Sequence, residues 1–320
     1  MKFAPLVVLL LLTGWLSARE TLIDNTGTVE NPKPTWETQR QARTFSLLIP
    51  APRGQITDRH GRPLAQSRLS YNLAINFPTP LDWPDSKILS FAKQQIAISS
   101  GIINRDIKIS DSTILNHYKN RGVLPLDIAE DLLPREINAL QRAMPPNQIL
   151  RQAYVRFYPN GPLAGHIIGY TGIQAPLSLR PIENNDLIFP ESEGREGIEQ
   201  IFDRELRGQP GLLQITFGVD GKKTSERVAR QPVPGNNIIT TLDLDLQQTC
   251  EDVLSKNTKR GAITVIDPNN GEILALASWP TFNPNDFVPS VKPSIYNALS
   301  KDPSNPLLPR AFRSAYPPGS

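Results

Sequence analysis

Residues 53–65 read R-G-Q-I-T-D-R-H-G-R-P-L-A. Asp58, Arg59, His60 and Gly61 form a turn signal between two short pieces of strand character, so the stretch predicts a β-hairpin. Working outward, 46–50 (S-L-L-I-P) predicts a strand before it and the alternation of 71–77 a strand after it. Region 81–143 changes character. Residues 86–98 and 110–120 predict helices, the second behind an Asp/Ser start. Residues 128–143 carry apolar spacings of three and four around Pro134, which predicts one helix ending and another beginning there. Strand character returns at 149–157. Residues 194–208 predict a helix stopped by Gly208, and 236–241 a strand. A helix to about Lys256 comes next, with Asp243 or Asp245 as its N-cap. Residues 261–278 predict two strands around the Asn270-Gly271 turn, the clearest hairpin signal in the chain. Strands and helices mixed in this order make an α+β protein.

Length and composition bound the function. A chain of 320 residues holds two or more domains. Lys and Arg number 34 against 31 Asp and Glu, a net charge of +3, and the basic residues are scattered, which argues against nucleic acid as a partner. The 31 prolines are roughly twice the usual share of about 5% and predict long extended connections. The single cysteine, Cys250, can form no internal disulfide and reads as a small buried hydrophobe on a helix. The histidines are His60, His117 and His166. No H-E-x-x-H and no Cys or carboxylate at ligand spacing accompanies them, so no metal is expected, and His166 reads as a hydrogen-bonded packing residue. Glu196 and Glu199 could be imagined as an acid/base pair, but they read better as solvated or ion-paired glutamates.

The two ends carry further signals. After Met1-Lys2, residues 3–16 form an apolar run of about 21 Å as helix, short of the ~30 Å hydrocarbon core. By length this is a signal-peptide core with a mediocre cleavage site at Leu16-Ser17-Ala18; an uncleaved anchor is the competing reading. Either one exports the rest of the chain. Residues 19–43 are polar and read as a linker. At the other end, 310–320 reads R-A-F-R-S-A-Y-P-P-G-S. Pro317 and Pro318 fix φ, Gly319 permits a bend, and Ser320 comes directly after it. Such a serine suits a helix N-cap, and equally a nucleophile whose developing charge faces a helix N-terminus.

Y-P-P-G-S resembles the lead-in to the S-x-x-K motif of penicillin-binding proteins, in which the serine is acylated. Other stretches resemble the same family in the same order. Residues 53–65 match R-G-x-I-x-D-R-x-G-x-x-L-A. Residues 156–170 match R-x-Y-P-x-G-x-x-A-x-H-x-x-G-Y. Residues 194–211 match G-x-x-G-x-E-x-x-x-(D/E)-x-x-L-x-G-x-x-G. Residues 261–278 match the first sheet hairpin of the serine transpeptidase fold, and 279–286 continue the family pattern. The chain is thereby identified as resembling class B penicillin-binding proteins, closest to the elongation type.

The resemblance implies an N-terminal membrane anchor over 1–18, a linker over 19–43, and a non-catalytic dimerisation or pedestal domain over 44–240 with a helical head insertion at about 81–143. Residues 241–320 would begin a serine transpeptidase domain of the β-lactamase-like fold. The implied activity is peptidoglycan D,D-transpeptidation in cell elongation and shape. Ser320 would attack the D-Ala–D-Ala carbonyl, and β-lactams would remain on it as an acyl-enzyme. No metal or organic cofactor is implied. The implied partners are peptidoglycan stem peptides, β-lactams, the membrane, a SEDS-type glycosyltransferase and elongation-complex scaffold proteins. The implied location is the bacterial inner membrane, single-pass, with the bulk of the chain in the periplasm. The motif lysine, S-x-N and K-T-G would lie past residue 320, so the expectation is a truncated chain, inactive alone. Alternatives are a division-type transpeptidase, a non-catalytic pedestal or scaffold protein, and a membrane-linked β-lactam sensor.

Overall fold

The computed structural model describes residues 44–173, 180–218 and 220–314. The predicted anchor, the linker and Ser320 lie outside the described residues. The chain enters through β1 (Thr44–Ile49), and the hairpin predicted at 53–65 comes next as β2 (Ile56–Thr57) and β3 (Pro63–Ile75). Asp58 closes its turn. One carboxylate oxygen accepts from the N–H groups of His60 (2.9 Å) and Arg62 (2.8 Å), and the other from the Arg62 guanidinium (2.7 Å). Burial alone would raise the Asp58 pKa; these donors outweigh it and lower the pKa.

Two predicted helices come next, α1 (Asp85–Ile103) and α2 (Asp111–Arg121). Ser110 caps α2, its hydroxyl accepting from the Thr113 N–H at 3.1 Å. The helix predicted to end at Pro134 is absent. Its place holds a strand, β4 (Leu126–Ala129), paired antiparallel with Leu73–Ile75 of β3. Pairing with the open edge of β3 overrides the local three-and-four spacing and buries Leu126, Ile128 and Ala129. Pro134 then starts α3 (Pro134–Arg142) as predicted. Part of the head region therefore belongs to the sheet, and only the remainder is helical. Leu73, Ile75, Phe77, Ile88, Ile114, Tyr118 and Leu140 form the core they share.

β5 (Gln148–Phe157) runs antiparallel to β3 in unbroken register from Gln66↔Phe157 to Ile75↔Gln148. It leads to α4 (Gly165–Ile168), β6 (Thr171–Ile173) and β7 (Ser192–Gly194). The single helix predicted up to Gly208 is two pieces, α5 (Gly197–Ile201) and α6 (Asp203–Arg207), interrupted at Phe202. Gly208 ends the second with φ +76°. Next is a hairpin without a sequence prediction, β8 (Gly211–Phe217) and β9 (Lys223–Arg230), which completes a sheet in the order β1-β8-β9. Leu213, Ile215 and Phe217 alternate inward onto Phe45 and Leu47. β9 is exposed along its whole length and offers no such alternation.

The predicted strand at 236–241 contracts to β10 (Ile238–Ile239), parallel to β2. Asp243 caps α7 (Leu244–Asn257) by accepting from the N–H groups of Asp245 and Leu246. The predicted Asn-Gly hairpin is β11 (Gly261–Ile266) and β12 (Ile273–Trp279). Helix α7 lies on it through Cys250, Leu254, Ala275 and Ala277, so Cys250 is the buried hydrophobe expected. Two short helices close the described chain, α8 (Pro293–Lys301) and α9 (Arg310–Arg313). Among the described residues no helix is long and apolar enough to cross a membrane.

Candidate functional site

Three of the stretches singled out in the sequence meet at one buried carboxylate. Glu199 is fully buried, and Arg53 and Arg156 are buried on either side of it. The Arg53 guanidinium donates to Glu199 Oε2 through Nε (3.2 Å) and Nη2 (2.8 Å), and through Nη1 to Asp203 Oδ1 (2.7 Å). Arg156 donates Nε to Glu199 Oε1 (2.5 Å) and Nη1 to the Gly54 carbonyl (2.6 Å). The Tyr158 hydroxyl lies 3.3 Å from the same Oε1 and accepts from the Thr171 N–H at 3.1 Å. Burial and the Glu199 charge push the Tyr158 pKa far up, so this hydroxyl stays protonated. Burial opposes the charge on Arg53, but Glu199 and Asp203 more than offset it and its pKa is raised. Both Glu199 oxygens are taken by guanidinium donors, so the cluster is a clamp rather than an acid/base pair. The ion-paired reading of Glu199 holds; Glu196 sits at the helix N-cap position in extended conformation.

A second set of contacts docks residues after 241 onto those before 240. Outside the turn, the Arg59 N–H donates to the Leu242 carbonyl (2.9 Å), Arg62 pairs with Asp245 (2.8 Å), and Arg59 with Glu272 (3.2 Å). His60 lies 3.3 Å from Asp243. These pairs are largely exposed and screened by solvent, so each contributes little. The buried contacts matter more. Asn285 bonds the Tyr158 backbone twice, accepting its N–H (3.0 Å) and donating to its carbonyl (2.9 Å). Gly165 lets the Phe282 carbonyl approach so closely that a Cβ there would lie 2.8 Å from it. The Glu251 carboxylate of α7 accepts from the Ala164 N–H and the Gln247 amide, both at 2.8 Å.

Burial pushes the Glu251 carboxyl up, and its two donors offset only part of that. The folded-state pKa lies above the unfolded one, so its contribution to stability is fully present at low pH and is lost as pH rises through the folded value. Glu251→Gln keeps the accepting oxygen and removes the titration. The wild-type chain should therefore lose stability relative to this variant as pH rises above about 4, the range in which the unfolded carboxyl ionises. Urea midpoints of both chains across that range check the sign, and a difference that does not change with pH would refute it.

The approach to Ser320 is described as far as Ser314. Arg310 is buried, and its guanidinium donates to the carbonyls of Ser304 (2.5 Å), Asn305 (2.9 Å) and Leu308 (3.4 Å). The Ala311 N–H donates to the Ser278 hydroxyl of β12 at 3.0 Å. His166 Nε2 lies 2.8 Å from the Pro306 carbonyl, with its ring edge-on to Phe282 at 5.1 Å. Burial, with the Arg310 charge beside it, pushes the His166 pKa down to about 4. It is the neutral, hydrogen-bonded packing residue the sequence suggested. His117 is likewise buried with a pKa of about 4, its Nε2 on the Leu124 carbonyl at 2.9 Å. Among the described residues no group of His, Cys, Asp or Glu could hold a metal ion.

Glu251 escaped the sequence reading, and Asn285 entered it only as part of the matched stretch 279–286, without a role. Gln247 and Glu251 are four apart on the same helical face as Cys250 and Leu254, and both are buried. Two polar residues on an apolar stripe are the signal that could have found them. Asn285 offered no signal of its own.

Residues 48–240 match the family model described as Penicillin-binding Protein dimerisation domain, and 261–320 the Penicillin binding protein transpeptidase domain. The chain is 30% identical over 273 residues to the peptidoglycan D,D-transpeptidase MrdA of Acinetobacter baumannii, covering 85% of this chain and 39% of that protein. It is 28% identical over 309 residues to MrdA of Escherichia coli K12, covering 89% and 44%. Among solved structures it resembles the penicillin-binding protein PBP2 of Helicobacter pylori in its complex with MreC, with a TM-score of 0.63 and 25% identity, covering 83% of this chain and 49% of that one. The chain thus spans less than half the length of each of these proteins.

Proposed function

Because this chain belongs to the penicillin-binding protein family, with its dimerisation domain and the start of a transpeptidase domain, we propose that it is part of an elongation-type peptidoglycan D,D-transpeptidase whose nucleophile is Ser320. The observation that carries the reading is that the transpeptidase match over 261–320 includes the Y-P-P-G-S sequence with Ser320 as its serine. Both MrdA relatives are named peptidoglycan D,D-transpeptidases.

The proposed chemistry is acyl transfer. The Ser320 hydroxyl loses its proton to a base and attacks the carbonyl of the terminal D-Ala–D-Ala bond. D-Ala leaves with a proton, and an amine of a neighbouring strand takes the acyl group. A β-lactam would offer the same carbonyl in a ring, so that its leaving group stays attached. The 44–240 region would carry no chemistry. Its clamp at Glu199 and its contacts to α7 and to 282–306 would hold the transpeptidase region in a fixed orientation. Residues 1–18 would anchor the protein in the inner membrane with the bulk in the periplasm. An elongation-complex scaffold protein is the partner class suggested by the MreC complex of the Helicobacter pylori protein, and a SEDS-type glycosyltransferase would supply the glycan strands.

The test is covalent labelling. The complete product of the gene is incubated with a fluorescent penicillin, and the labelled peptide is identified by mass spectrometry. A label on the peptide containing Y-P-P-G-S, at Ser320, is expected. A label on another residue, or none on folded protein, would overturn the assignment.

A further inference from the structure

Among its other contacts, the described part of the stretch that leads to Ser320 has three ties that matter here. Two are internal to its own region: the Ser278 hydroxyl accepts the Ala311 N–H, and the Arg310 guanidinium gathers the carbonyls of Ser304, Asn305 and Leu308. The third comes from the 44–240 region. Pro306 lies within the same loop, and its carbonyl is not among those that Arg310 takes. It faces His166 of α4, 2.8 Å from Nε2. A carbonyl oxygen only accepts, so Nε2 carries the proton and donates.

Helix α4 is itself firmly placed. The Ala164 N–H is held by Glu251 of α7, and Gly165 lies against the Phe282 carbonyl. His166 stands on this short helix with its ring edge-on to Phe282. It thus bridges from the 44–240 region to the loop entering α9, the last described helix before the serine. We infer that His166 is a positioning residue for the approach to Ser320: its Nε2–H fixes the Pro306 carbonyl, and with it the loop that enters α9.

The inference rests on the reading of Ser320 as the acylated serine. Packing on Phe282 would be served by any ring, whereas the Pro306 carbonyl needs a donor. Leaving that buried acceptor unpaired is worth about 1–3 kcal/mol, or roughly five- to hundredfold in a rate that depends on the loop's placement. The His166 pKa of about 4 leaves the ring neutral at neutral pH, with one N–H, and that N–H is the one spent here.

Three variants separate donor from ring. His166→Phe keeps the ring and loses the donor. His166→Gln places an amide N–H near the position of Nε2. His166→Asn places one near Nδ1, too short to reach, and takes the place of His166→Phe should that variant not fold. In the complete gene product, the first-order acylation step with a fluorescent penicillin should fall about tenfold or more in His166→Phe and His166→Asn. The initial binding constant should stay unchanged, and His166→Gln should recover most of the rate. In the 320-residue chain, hydrogen exchange at amides within 304–313 should accelerate in His166→Phe and His166→Asn and not in His166→Gln. Wild-type acylation and exchange in His166→Phe would overturn the proposal. Equal impairment of Phe and Gln would also overturn it, since only packing would then matter. If the wild-type protein takes no label at Ser320, the nucleophile assignment fails, while the exchange comparison still decides the His166–Pro306 contact.

Discussion

Glu199→Ala is expected to destabilise the chain by about 3–5 kcal/mol, enough to leave much of the 44–240 region unfolded under mild conditions. The Arg53 and Arg156 side chains are 4% and 0% exposed, and Glu199 is the carboxylate common to both. Without it, Arg53 keeps Asp203 and the carbonyls of Ser192 and residue 199, and among the described residues Arg156 keeps only the Gly54 carbonyl. One Arg156 nitrogen, Nη2, already has no partner among the described residues. A guanidinium cannot escape by giving up its proton, so the full cost of the stranded charge falls on the fold. Glu199→Gln is the sharper variant. It keeps the volume and one accepting oxygen, yet it turns an N–H₂ donor towards one of two guanidinium groups that are donors only. It should therefore lose almost as much as alanine. Urea unfolding of the three chains measures this, and a loss below about 1 kcal/mol for both variants would mean that water serves these groups and the pair is not buried in solution.

This cluster also marks where the sequence stops being legible. Local patterns revealed the hairpin at 53–65, the α1 and α2 helices, the Asp243 cap and the Asn-Gly hairpin, because each depends on residues a few positions apart. Arg53 and Glu199 are 146 positions apart, and nothing near either one distinguishes it from a surface residue. Their stretches could be recognised one by one as resembling a family, but not as parts of a single contact. β4 was missed for a related reason. The apolar spacing of 128–143 suits a helix, and only the free edge of β3, more than fifty residues earlier in the chain, decides for a strand. β9 has no inward face, and therefore no period to read. Ser320 is the reverse case: its assignment comes from sequence, and it lies outside the described residues.

Gly169→Ala should be about as damaging as loss of Glu199, and comparison with Gly61→Ala shows why. Both glycines have positive φ, +73° at Gly169 and +80° at Gly61. At Gly61, on the open turn of the first hairpin, a Cβ would meet nothing within 4 Å. The cost there is the backbone strain alone, about 1–2 kcal/mol. At Gly169 a Cβ would lie 1.8 Å from the Glu196 carbonyl oxygen and 2.2 Å from its carbon. The contact is reciprocal, because a Cβ on Gly197, at φ +61°, would lie 2.6 Å from the Gly169 nitrogen. Two glycine-bearing backbones therefore cross with no room for a side chain on either. One leads out of α4 and the other into α5, the helix that carries Glu199. Neither can retreat without dragging Glu199 off Arg53 and Arg156 or His166 off Pro306. A methyl group here adds overpacking of about 1–3 kcal/mol to the strain, and more if the crossing opens and the clamp is lost with it. Thermal unfolding should thus place Gly169→Ala well below Gly61→Ala, with Gly61→Ala only a few degrees below wild type. Equal losses in the two variants would mean that φ alone sets the cost, and that the two backbones do not pass as closely as this geometry requires.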